Sequence, residues 1–149
     1  MQSSRDTAIM QNIKRKMKHE SAIIKKRYSV EGMLSIIKCF DMCIGMRLHT
    51  LIYAAINSVP LIGLVYDPKI NSFMEYTHQR HYVDVNEVTD ENLKKMLDEC
   101  VANYDTIKQD LKENYSHLKE KAKLNGKYAI ELYDCLLYTS DAANDLTRV

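Results

Sequence analysis

The chain has 149 residues, 46% of them hydrophobic and 28% charged, with a formal net charge of +1 at pH 7. That length is one ordinary domain or a piece of a larger protein, and the balance excludes a disordered chain. So small a charge exerts no global pull toward nucleic acid, and no apolar run reaches the ~18–20 residues of a membrane helix.

The charge is unevenly spread. Residues 1–28 hold eight basic side chains (Arg5, Lys14, Arg15, Lys16, Lys18, Lys25, Lys26, Arg27) against Asp6 and Glu20, whereas residues 82–122 lean acidic. The basic run reads as the solvated face of a helix whose apolar side is Ile9, Met10, Ile13 and Met17. It lacks the apolar core of a secretory signal. Met1 opens directly onto this pattern, as though an internal methionine had been taken as the start.

Next, Ser-Ala-Ile-Ile-Lys-Lys (21–26) is a β-branched run and predicts a strand. Ser29 is placed to cap a helix, with Glu31 in its first turn and Met33, Leu34, Ile36 and Ile37 on its buried face. Met-Cys-Ile-Gly (42–45) predicts a short strand ending at Gly45. Residues 48–57 have the composition of a buried helix, stopped by Asn57-Ser58. Pro-Leu-Ile-Gly-Leu-Val-Tyr (60–66) is continuously apolar, as expected of a parallel strand covered on both faces. Asp67-Pro68 ends it, a short helix is predicted around residues 71–76, and residues 81–85 predict one more strand. Strands alternating with helices through short loops mean an α/β fold with a partial, doubly wound parallel sheet.

From residue 90 to about 131 apolar residues recur at threes and fours (Leu93, Leu97, Cys100, Tyr104, Ile107, Leu111, Leu118, Ala122), predicting terminal helices capped by Thr89 or Asp90. They are read as lying against their own protein, with a coiled-coil strand as the alternative. Asn125-Gly126 predicts a break. The sequence from Cys135 to Val149 interrupts the pattern and resembles translated adapter read-through, so 135–149 is expected to be a non-native tail. The expected organisation is therefore 1–85 as the partial α/β domain, 86–134 as a helical segment, and that tail.

Four cysteines (Cys39, Cys43, Cys100, Cys135) form no Cys-x-x-Cys pair and no zinc spacing. Reduced, mostly buried thiols in a cytoplasmic protein are expected, with no metal and no cofactor.

In an open α/β sheet, ligands bind beyond the carboxyl ends of the strands, where helix N-termini also point. Arg47 and His49 interrupt an apolar stretch at such an edge, after residues 42–45 and at the mouth of the next helix. Lys69 lies at the equivalent edge after residues 60–66, beside Tyr66 and Asp67. Arginine, histidine and lysine with helix amides suit an anion carrying phosphate or carboxylate. A packed histidine and an acid-paired arginine are the structural alternative.

The words Gly-Met-Arg-Leu-His-x-Leu-Ile-x-Ala-Ala and Val-Pro-Leu-Ile-Gly-Leu-x-Tyr-Asp-Pro-Lys, preceded by Phe-Asp-Met-Cys-Ile-Gly-Met, resemble the C-terminal domain of the polysaccharide pyruvyl transferases. The resemblance covers roughly residues 20–130 and is most specific at 44–69. It implies two Rossmann-like domains facing across a cleft, similar to GT-B glycosyltransferases, of which this chain is most of the second. It implies transfer of a pyruvyl group from phosphoenolpyruvate to a sugar hydroxyl of a cell-surface polysaccharide or its precursor. The Arg-Leu-His motif then lies in the donor pocket. Arg47 clamps an anionic group, the Leu48 amide contributes at the helix start, and His49 is the general acid. Lys69 as a second phosphate contact follows from its position alone. The partners implied are phosphoenolpyruvate, a saccharide acceptor and the missing N-terminal domain, with no nucleic acid and no integral membrane segment. Alone, the fragment is expected to be inactive.

Two other readings stay open. A nucleotide-sugar glycosyltransferase shares the architecture, though residues 48–57 lack the acidic residue that would contact a ribose. A non-enzymatic module interacting through the long helix comes from a different class.

Overall fold

The computed structural model describes the backbone of residues 4–145 and the side chains of residues 7–136. The chain divides into two compact units, Met1–Met33 and Leu34–Val149.

The first unit contains α1 (Ser4–Lys16), which ends in Lys14, Arg15 and Lys16, cations that complement the negative end of the helix dipole. Its Ile9 and Ile13 are exposed, as is Met17 just beyond it. The strand expected at residues 21–26 does not form. A strand needs a ladder for its backbone groups, and among its described residues this unit offers no other strand. β-Branched composition cannot supply what pairing must. α2 (Val30–Ile37) follows, with the Ser29 hydroxyl accepting from the Gly32 amide at 3.2 Å, and the division between the units falls within it.

The second unit is built on three parallel strands, β1 (Cys43–Gly45), β2 (Leu61–Val65) and β3 (Tyr82–Asp84), in the order β1-β2-β3. Helices α3 (Leu48–Ile56) and α4 (Pro68–Tyr76) connect them. Gly45 and Gly63 are register partners, so their missing side chains would point to the same face. A Cβ at Gly45 would sit 2.7 Å from a Leu51 methyl of α3, and one at Gly63 would sit 3.1 Å from the Met74 sulfur of α4. Both helices therefore cover one face, and the glycines let them lie close. Leu61 and Ile62, on opposite faces of β2, are both fully buried, as predicted for a central parallel strand. Ile44 on the edge strand β1 is exposed on the face away from α3.

Both connecting helices stop in the same way. The Ser58 and Val59 amides bond back to Ala55 and Ala54, and the His78 and Gln79 amides bond back to Glu75 and Met74. Ser58 and His78 take positive φ, 53° and 55°. Each end is thus a Schellman motif closed by a residue other than glycine.

Thr89 opens α5 (Asp90–Ala102) with a full capping box, in which Thr89 and Asn92 each bond the other's backbone amide. Asn103 separates it from α6 (Tyr104–Asp145). Asn114 of α6 donates to the Thr77 carbonyl at 3.0 Å, tying the long helix to the end of α4. The break expected at Asn125-Gly126 is absent, and so is the interruption near Cys135, since α6 runs through both. One glycine costs a helix about 1 kcal/mol, which the Lys, Ala, Leu and Glu residues around it offset, because extending a formed helix is cheap.

Candidate functional site: the carboxyl edge of the sheet

β1 and β2 are parallel neighbours, so the loops leaving their carboxyl ends open on one edge, and α3 and α4 begin there. Arg47 is the N-cap of α3, extended at φ −100° and ψ 130°, and its carbonyl accepts the Thr50 and Leu51 amides at 3.0 and 3.3 Å. Its side chain supplies no cap; an arginine has no acceptor to give. The first amides of α3, those of Leu48 and His49, thus start without the side-chain acceptor that most helices carry. Leu48 packs against the core, while Arg47 and His49 on either side of it are exposed. The two polar residues interrupt an apolar stretch because Leu48 alone points inward there. The His49 ring meets Tyr53 edge-on, with centroids 6.4 Å apart.

The second helix start is built differently. Asp67 caps α4, one oxygen accepting the Lys69 amide at 3.0 Å while the other lies 3.0 Å from the Lys69 ammonium. These hydrogen bonds hold the Asp67 carboxyl below its ordinary range, and the same pairing raises Lys69. Lys69 therefore lies at the predicted edge, but with its charge engaged by Asp67. Sequence reasoning placed Asp67 beside it and missed the grip, although an N-cap aspartate with a lysine two positions on is a legible signal. Asp67→Ala should lower the melting temperature by about 2–4 °C while Asp67→Asn stays near wild type, since asparagine caps as well. Because the Asp67 pKa is depressed, its contribution is complete above the ordinary carboxylate range and fades only as pH falls through its lowered value. Thermal melts of both variants near neutrality and in acid check this.

At the opposite, amino edge lies a polar cleft of about 670 Å³ that includes His78, Arg80, His81, Glu99, Asp110 and Glu113. There His81 Nε2 stands 3.6 Å from a Glu99 carboxylate oxygen. Sequence reasoning missed it, because its walls come from the loop between α4 and β3, from α5 and from α6 together.

Cys43 and Cys100 are buried, and burial pushes both thiols up; Cys39 and Cys135 are exposed and free. Only half of the four cysteines are thus buried, against the expectation of most. Among the described residues no cluster of histidine, cysteine, aspartate and glutamate could hold a metal, and no helix is long and apolar enough to cross a membrane.

No curated protein and no solved structure matches the chain. The family model of the polysaccharide pyruvyl transferases matches residues 2–68. That match starts earlier than the resemblance read from the motif words and stops one residue before Lys69. From α1 through the Arg-Leu-His edge to the start of α4, this sequence is therefore similar to that of the polysaccharide pyruvyl transferase family.

Proposed function

We propose that this chain supplies the donor-binding edge of a polysaccharide pyruvyl transferase, in a two-domain, GT-B-like enzyme that uses phosphoenolpyruvate and a saccharide acceptor. What supports the reading is the position of Arg47-Leu48-His49. The motif lies within the family-matched residues, at a strand's carboxyl end and at a helix start whose cap side chain supplies no acceptor.

In this reading Arg47 holds an anionic group of the donor through its planar fork, and the Leu48 amide adds a donor at the positive end of α3. His49 delivers a proton to the vinyl carbon, a role that imidazoles fill near neutral pH. The electron-poor C2 then accepts the oxygen of one sugar hydroxyl, whose proton returns to the His49 imidazole. Phosphate leaves with the electron pair of its C2–O bond as a second hydroxyl closes the ketal, and the proton of that hydroxyl goes to the departing phosphate. Lys69 helps neutralise the departing phosphate by exchanging its Asp67 partner for it.

Titrating the ¹⁵N-labelled chain with phosphoenolpyruvate tests the edge directly. Saturable amide shifts are expected to concentrate at residues 45–51. Arg47→Lys should weaken binding by about tenfold, the equivalent of one lost charge-assisted hydrogen bond. Saturable shifts confined to another part of the chain, or no saturable binding at all, would overturn the proposal.

A further inference from the structure

Helix α1 carries a surface that the donor edge does not use. Ile9, Ile13 and Met17 follow one another at four-residue spacing and form one row along it. The Met17 amide still bonds the Ile13 carbonyl at 3.2 Å, so the turn extends to Met17. All three side chains are exposed, at 51%, 56% and 51%. Asp6 stands one turn ahead of the row, near the positive end of the helix dipole. At about 100° per residue, Lys14 and Lys16 fall on opposite sides of the row, and Arg15 falls on the far face. Between residues 14 and 27 seven basic side chains stand against a single acid, Glu20. Among the described residues none of Lys14, Arg15, Lys16 and Lys18 is paired with a carboxylate.

Such a helix presents an apolar strip with cations along both of its borders. We propose that α1 is an interfacial helix that lies in the plane of an anionic lipid surface, with Ile9, Ile13 and Met17 sunk toward the acyl chains. Charge complementarity selects that partner. The stems of Lys14 and Lys16 lie along the apolar boundary while their ammonium groups reach the headgroup phosphates. The basic run that follows, from Lys18 to Arg27, adds attraction to the same negative surface. RNA would satisfy the cations but leave the apolar row in water, so it accounts for only half of the surface. With 13 residues, about 20 Å, α1 is too short to cross a bilayer and long enough to lie on one.

Cosedimentation of the full chain with sucrose-loaded vesicles tests the proposal. Saturable binding is expected to vesicles of equal parts phosphatidylglycerol and phosphatidylcholine, with little to phosphatidylcholine alone. It should weaken as salt screens the charges. Lys14→Gln and Lys16→Gln should each lower the partition coefficient by about fivefold, the equivalent of one basic contact with an anionic surface. Ile9→Gln combined with Ile13→Gln should lower it by about tenfold. The circular dichroism of that free variant should be unchanged, because both side chains are already exposed; if it misfolds, the lysine variants decide. No binding to the anionic vesicles, equal binding to neutral ones, or binding that these substitutions leave intact would each overturn the proposal. So would capture of a single-stranded RNA oligomer by a chain that leaves the vesicles unbound.

Discussion

His49→Ala, made in a transferase that carries this domain with its partner domain, should lower kcat by about 10²–10⁴-fold, the usual contribution of a general acid. The melting temperature should hardly move, since the imidazole is exposed and its described contact is the edge of Tyr53. His49→Phe restores a ring against Tyr53 without a transferable proton, and it should be as slow as the alanine variant. Arg47→Lys should act instead on KM for phosphoenolpyruvate, because a point charge cannot reproduce a bidentate fork. If both residues serve packing alone, the pattern inverts: stability falls and the kinetics of the folded fraction stay normal. Melting curves recorded beside steady-state rates separate the two, and near-wild-type kcat in His49→Phe would remove His49 from the chemistry.

The same glycine-to-alanine change should have opposite signs at two positions. At Gly45 the new methyl would lie 2.7 Å from one Leu51 atom and 3.1 Å from another. Leu51 is fully buried, so it has nowhere to retreat, and the first turns of α3 must lift from β1. Overpacking of this kind costs about 1–3 kcal/mol. The lift also displaces Arg47 and His49, so Gly45→Ala should weaken phosphoenolpyruvate binding along with stability. At Gly126 a methyl meets no atom within 4 Å. There alanine removes a mid-helix glycine and should stabilise α6 by about 1 kcal/mol. Thermal melts and helical circular dichroism of the two variants should move in opposite directions; a stabilised Gly45→Ala would show that α3 does not need its close seat.

What could be read in advance was what short-range physics decides. The apolar run at 60–66 became a central strand because each of its faces needs cover. Thr89 capped its helix, and the carboxyl-edge positions of Arg47, His49 and Lys69 followed from strands and helices in alternation. The misses came where the outcome depends on a distant partner or on competition. Ile23 and Ile24 favour a strand, but among the described residues of their own unit no strand forms on which a sheet could be built. Asn125-Gly126 is a common stop, yet it lies between strong helix formers that outvote it. Lys69 was placed correctly, but whether its charge is free depends on a side-chain torsion of Asp67, which periodicity does not encode.

The inward seat of Leu48 bears on any attempt to change which donor the edge would accept under the proposed function. Successive residues of a helix point about 100° apart, so the packing of one leucine sets the directions of both its neighbours. A library that randomises positions 47 and 49 and keeps Leu48 samples new chemistry on an unchanged frame. One that also varies 48 mixes altered recognition with altered folding, and its inactive members would be uninterpretable. Selection on donor preference should therefore recover variants at 47 and 49 freely, and at 48 little beyond methionine or isoleucine.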